Sequence, residues 1–100
     1  MEILIFQNNT KIIYQQTLSF GITSQMALDI RLERNYLLIQ NRGSSSILLK
    51  FDTEHEGSEG ILIIASGNYE SELAPRNAIF IKSVSGTNLV TIIEGTDGSV

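Results

Sequence analysis

Tyr36-Leu37-Leu38-Ile39-Gln40-Asn41, Arg42-Gly43-Ser44-Ser45 and Ser46-Ile47-Leu48-Leu49-Lys50-Phe51 follow one another without a break. Two apolar runs of strand length flank a short Gly/Ser turn, the pattern of a β-hairpin. The same grammar returns twice. Gly60-Ile61-Leu62-Ile63-Ile64-Ala65 leads through Ser66-Gly67-Asn68 into Tyr69-Glu70-Ser71-Glu72-Leu73. Ala78-Ile79-Phe80-Ile81-Lys82-Ser83-Val84 leads through Ser85-Gly86-Thr87-Asn88 into Leu89-Val90-Thr91-Ile92-Ile93-Glu94. Ala74-Pro75-Arg76-Asn77 separates these two units as a turn-rich linker, because proline inside a central strand removes a ladder donor. Branching at Cβ in the isoleucine-rich runs disfavours a buried helix. No helical pattern of the length that a βαβ unit needs lies between them. The reading is an all-β fold: an antiparallel β-sandwich or partly closed barrel built from consecutive hairpins.

The first third is less regular. Ile3 to Phe6 has strand character, Asn8-Asn9-Thr10-Lys11 is a turn, and Lys11 to Leu18 can pair back on the first run. In Ser24 to Leu32, Ser24 suits the N-cap of a short helix. Against that, Met26, Leu28, Ile30 and Leu32 alternate with Ala27, Asp29, Arg31 and Glu33, the period of a strand with one wet face. Strand is the favoured reading. Residues 1–100 then form a single β domain, with N-terminal strands or an assembly arm in 1–33, a hairpin core in 34–95 and a flexible tail in 96–100.

A chain of 100 residues holds one core and hides little surface for its size, roughly 60–65% of what the unfolded chain exposes. It has 15 isoleucines and 11 leucines against 3 valines, and no tryptophan. Leu37-Leu38-Ile39, Ile47-Leu48-Leu49 and Ile61-Leu62-Ile63-Ile64 place large aliphatics on both faces of an extended backbone. A sandwich normally leaves one face of each sheet wet, so something must cover the excess. The N-terminal strands, a barrel-like curl or another subunit would serve; self-association is the preferred answer, and ordinary core filling with scattered exposed aliphatics is the rival. Predicted core positions are Leu37, Ile39, Leu48, Ile63, Phe80 and Ile92. The segment Ile3–Leu18 is more hydrophobic than a wet edge strand requires and is the expected partner contact.

With no cysteine, neither a disulfide nor a Cys-based zinc site is available, and the redox compartment stays open. No apolar run approaches the roughly 18 residues of a membrane span. Met1-Glu2-Ile3-Leu4 carries an acid where a secretory signal carries positive charge, so export by a signal peptide is not expected. The net charge of −4 suits solubility and opposes contact with a phosphate backbone. The bases, Lys11, Arg31, Arg34, Arg42, Lys50, Arg76 and Lys82, are scattered along the sequence. Tyr36, Tyr69, Phe51 and Phe80 would stack bases only if exposed beside Arg34 or Lys82, and a core role fits their aliphatic surroundings better. Asn8-Asn9-Thr10 is a glycosylation triplet without meaning in a chain that is not secreted.

Asp52-Thr53-Glu54-His55-Glu56-Gly57-Ser58-Glu59-Gly60 imitates the opening of a calcium loop, with acids at relative positions 1, 3 and 5 and glycine at 6. The imitation stops there. Glu59 stands at the apolar position, Ile63 at that of the bidentate glutamate, and no helices flank the run. A solvated connecting loop is the plainer reading. His55 beside Glu54 and Glu56 has parts for acid–base work, but a flexible glycine-flanked loop holds a catalytic pose poorly. Ser66-Gly67 and Ser85-Gly86 are turn chemistry, and no nucleophile elbow or phosphate-binding glycine loop is present. No catalytic, cofactor-binding or metal-ligating residue is assigned, and no cofactor is expected.

Three pieces of the sequence resemble small β-rich accessory proteins of tailed-bacteriophage particles, such as head decoration or cement proteins and fibre bases. They are Arg34/Leu37/Ile39/Asn41, Ser66/Gly67/Tyr69/Glu70 and Ser85/Gly86/Thr87/Val90/Ile92/Glu94/Gly95. In that group the first piece opens a hairpin, and the second precedes a last hairpin closed by the third. The resemblance covers roughly 34–95 and carries no catalytic residues. It implies a virion component, assembled in the host cytoplasm, that associates with itself, often as a trimer, or docks on a capsid or tail protein. Two other readings stand beside it. A ligand- or carbohydrate-binding module would read its target through loops 42–46, 52–59 and 85–88, which contain no aromatic residue. A cupin-like enzyme would need clustered His, Asp and Glu ligands, against a single histidine.

Overall fold

The computed structural model describes residues 12–97. The expected strand Ile3–Phe6, the turn Asn8–Lys11 with its glycosylation triplet, the first part of the Ile3–Leu18 contact segment and the end of the tail lie outside them. Every described element is a strand: β1 (Ile12–Phe20), β2 (Gln25–Leu28), β3 (Arg34–Asn41), β4 (Ile47–Phe51), β5 (Ile61–Ile63), β6 (Asn68–Ser71), β7 (Ile79–Ser83) and β8 (Asn88–Thr96). They form two antiparallel four-stranded sheets, ordered β1-β8-β3-β6 and β2-β7-β4-β5. The sheets pack as a sandwich, not a closed barrel. Each recruits strands alternately from early and late in the chain, which is jelly-roll connectivity.

That order corrects the pairing expected within the three strand–turn–strand units. β3 and β4, β5 and β6, and β7 and β8 lie in opposite sheets, so each unit is an arch from one layer to the other. Buried asparagines in two of the turns supply the physical reason. Asn41 Nδ2 donates to the carbonyls of Ser45, Ile63 and Ile64, while its Oδ1 accepts from Gly43 N–H. Asn88 Oδ1 accepts from Ser45 N–H, and its Nδ2 donates to the hydroxyls of Ser45 and Ser83. These side chains satisfy turn backbone that a hairpin ladder would otherwise pair. Asn41 also exchanges backbone bonds with Ser66 and Gly67, tying the β3–β4 arch to the β5–β6 arch. Among the described residues, β4 and β5 are the only consecutive strands that pair, across the acidic loop.

Ser24–Leu32 is a strand as favoured, but it stops at Leu28 after an irregularity between Met26 and Leu28. β1 matches the Lys11–Leu18 run and forms a ladder with β8, from Ile12 opposite Thr96 to Phe20 opposite Asn88; the expected pairing with the first run lies outside the described residues. Alternate residues fill the interlayer core: Leu37 and Ile39 from β3, Ile47 and Leu49 from β4, Ile79 and Ile81 from β7, Val90 and Ile92 from β8. Five of the six predicted core positions are buried; Phe80 is half-buried between the inward Ile79 and Ile81. Leu48, between the inward Ile47 and Leu49, is buried on the outer side of its sheet.

Candidate assembly interface

Strand β1 is where the sandwich is left open. It borders the first sheet, its ladder to β8 occupies one edge, and no described strand pairs with the other. Its burial is unusual on both faces: Ile12 through Ser19 are all exposed, and only Phe20 is enclosed. Phe20 fixes the phase. Leu18, Gln16, Tyr14 and Ile12 share its inward side, opposite Val90, Ile92, Glu94 and Thr96 of β8. The second sheet does not extend over them, because β2 has only 4 residues against the 9 of β1.

The shortfall leaves a cleft of about 490 Å³ bounded by Tyr14 and Gln16 of β1, Leu28 and Arg31 from the opposite side, and Ile92 and Glu94 at its floor. Its charged wall is rigidly built. Arg34, which is 1% exposed, donates from Nε to Glu94 Oε2 at 2.6 Å, from Nη1 to the carbonyls of Pro75 and Asn77, and from Nη2 to the carbonyl of Asp29. One guanidinium thus ties β3, β8 and two loops, satisfying four of its five donors. Arg31 Nε reaches the same Glu94 oxygen at 3.0 Å, and its guanidinium carbon sits 4.7 Å from the centre of the Tyr14 ring. The cation–π contact holds Tyr14 at the mouth of the cleft.

The acidic loop has a different part. Its residues are mostly exposed, as expected, but the loop is pinned and not slack. His55 Nε2 meets the Leu48 carbonyl at 2.9 Å, so this nitrogen carries the hydrogen; Nδ1 then accepts from the Ser24 hydroxyl at 2.7 Å. The His55 backbone N–H donates to the same hydroxyl. Lys82 Nζ donates to the Gly57 carbonyl, while Lys50 Nζ contacts Thr53 and Glu59. The loop therefore lies across the outer face of the second sheet, above Leu48. Desolvation, with Lys82 and Lys50 nearby, lowers the His55 pKa below its ordinary value, outweighing the Leu48 carbonyl bond and Glu59. Both ring nitrogens are engaged by structural partners, which leaves His55 no free atom for acid–base chemistry.

Among the described residues, no group of three or more His, Cys, Asp or Glu side chains is placed to hold a metal ion, and no helix is long and apolar enough to cross a membrane. Loops 42–46 and 85–88 do come together, through Ser45 Oγ to the Ser85 carbonyl and Val84 N–H to the Ser46 carbonyl. Loop 52–59 leaves from the other end of β4, so the three loops do not form one binding surface. The aromatics are built into the fold. Phe51 and Tyr69 pack on the core with ring centres 6.4 Å apart, and Tyr36 donates to Glu70 Oε2 at 2.6 Å. Desolvation and that bond push the Tyr36 hydroxyl up to about 12.

Sequence reasoning reached β1 through its hydrophobicity and missed the Arg34–Glu94–Arg31 cluster. Arg34 and Glu94 stand 60 positions apart, and only the β3–β8 ladder brings them together.

No protein-family model matches this chain, and no curated protein matches it. Among solved structures the chain is similar to the SPBc2 prophage-derived protein YomS, with 14% identity and a TM-score of 0.51, over 86% of this chain and 96% of that one. It is similar also to a structure of Bacillus endospore appendages, described as disulfide-linked pili, with 14% identity and a TM-score of 0.43 over 89% and 92% of the two chains. PirA matches with 11% identity and a TM-score of 0.43 over 89% and 98%. At 14% identity the likeness to YomS is one of fold alone.

Proposed function

We propose that the chain is a non-enzymatic structural protein of a virion, which stabilises or decorates a capsid or tail by packing β-sheet surface against neighbouring subunits. The observation that carries this reading is β1: eight successive exposed residues, Ile12 to Ser19, with no charge among them and large apolar groups on both faces. Ile13 is 62% exposed and Tyr14 44%. Monomeric sandwiches protect a long edge with charge, proline or a covering element, and β1 has none of these among the described residues. Leu89 at the start of β8 is exposed on the same sheet, while Leu62 and Ile64 are exposed separately, at the β5 border of the second sheet. Covering such surface contributes roughly 25 cal/mol per Å², less the costs of association.

The phage resemblance of residues 34–95 supplies the virion, and a fold shared with a prophage-derived protein agrees with it. Two measurements test the reading. Light scattering behind size-exclusion chromatography at micromolar concentration is expected to give a mass well above 11.1 kDa. Mass spectrometry of particles purified from cells carrying the gene is expected to find the chain in amounts comparable to a coat component. A strict monomer absent from particles would remove the proposal.

A further inference from the structure

We infer that the partner of β1 is the β1 of a second copy, paired antiparallel about a two-fold axis to join two β1-β8-β3-β6 sheets into one. This rests on the assembly reading above and names its interface. The other sheet borders are poor candidates. β2 and β5 have 4 and 3 residues, and β6 has 4 with Glu70 among them. Shortness and charge are ordinary ways of blunting an edge. β1 alone is long, at 9 residues, and free of charge, proline and glycine.

Its sequence suits its own copy. In an antiparallel pair about a two-fold axis normal to the sheet, residues of one face meet residues of the same face, so paired numbers sum to an even value. The Phe20 end is engaged, since the Phe20 carbonyl accepts from Ser83 Oγ and the Gly21 carbonyl from Ser83 N–H. Pairing over the open run Ile12–Ser19 therefore centres on Gln15 or Gln16. Centred on Gln16, it sets Tyr14 against Leu18 and Gln15 against Thr17; centred on Gln15, it sets Ile12 against Leu18. Either way an apolar pair forms on the inward side and amides meet at the axis, contacts that stabilise a ladder. Neutrality explains the choice of occupant. The chain carries a net charge of −4, and two copies meet without acid facing acid where the strand has no charge. The half-exposed Ile12, Tyr14 and Leu18 of each copy would shelter those of the other at the open cleft.

The absence of cysteine makes the test clean. Gln15→Cys and Gln16→Cys place one thiol at the candidate axes on exposed positions. Mild oxidation of one of them is expected to convert most of the chain to a covalent dimer. Leu62→Cys, exposed but away from β1, should not be converted. Hydrogen exchange should show β1 amides gaining protection with concentration, and Gln16→Lys should raise the dimer dissociation constant at least tenfold while leaving the melting profile of the monomer unchanged. An oligomer that forms without either cross-link, or a trimer indifferent to Gln16→Lys, overturns β1 pairing and leaves the assembly reading intact. A monomer whose β1 amides are already protected at high dilution means that the edge is occupied within one chain, and overturns the pairing. A monomer with unprotected β1 amides overturns the pairing, and together with absence from particles it overturns the assembly reading as well.

Discussion

Arg34 and Glu94 show how a pair of side chains can decide the stability of a small domain. The Arg34 side chain is 0% exposed and that of Glu94 3%, at 2.6 Å. Truncating one partner leaves the other charge buried and unpaired, which costs about 3–5 kcal/mol. Glu94→Gln is expected to lower the urea midpoint by an amount equivalent to that, a large share of a typical domain stability of about 5–15 kcal/mol. Arg34→Met with Glu94→Leu should lose less than the two single changes summed, because no fully buried charge is left without its partner; Arg31, which also meets Glu94, is 35% exposed. His55 yields a prediction with a sign. Its folded pKa is lowered, chiefly by desolvation, so the unfolded chain binds the proton more readily. The stability it contributes is present above the ordinary histidine value of about 6.5 and is lost as pH falls towards and through the folded value. Urea midpoints of the protein and of His55→Gln, compared from about pH 7.5 to 5, should therefore converge as pH falls. A gap that widens on acidification would contradict the neutral, Ser24-bound imidazole.

At the scale of elements, the arches carry the fold. A Cβ on Gly43 would collide with the side chain of Asn88, which is 1% exposed and bonded to both Ser45 and Ser83. It has nowhere to go. Gly43→Ala should destabilise by about 1–3 kcal/mol through overpacking, read as a lower melting temperature, whereas Gly21→Ala, with open space around its Cβ position, should change it little. The turn residues were visible in the sequence, and so were the strands they separate. Their partners were not. A Gly/Ser turn between two apolar runs is compatible with a hairpin and with an arch alike, and what selects the arch is the burial of Asn41 and Asn88 against backbone from other turns. The Arg34, Asn41 and Glu94 of the phage-like pieces prove to be the polar fastenings of this architecture.

For the whole molecule, jelly-roll pairing joins the beginning of the described chain to its end, with Ile12 opposite Thr96. Such non-local ladders close large loops before they are rewarded, so refolding is expected in milliseconds to seconds, as for other β-sandwiches of about this size. Stopped-flow refolding from urea checks this; a microsecond phase accounting for the full amplitude would not fit the topology. The sequence by itself determined that the chain is all β, where most strands begin and end, and that it carries more aliphatic surface than one small sandwich shelters, because these depend on local periodicity, branching at Cβ and turn chemistry. Only the tertiary structure decided which strands pair, that Leu48 is covered by the chain's own acidic loop, and that β1 leaves eight successive residues exposed. Those outcomes depend on groups up to 84 positions apart meeting across a sheet, and no local pattern encodes a meeting of that kind.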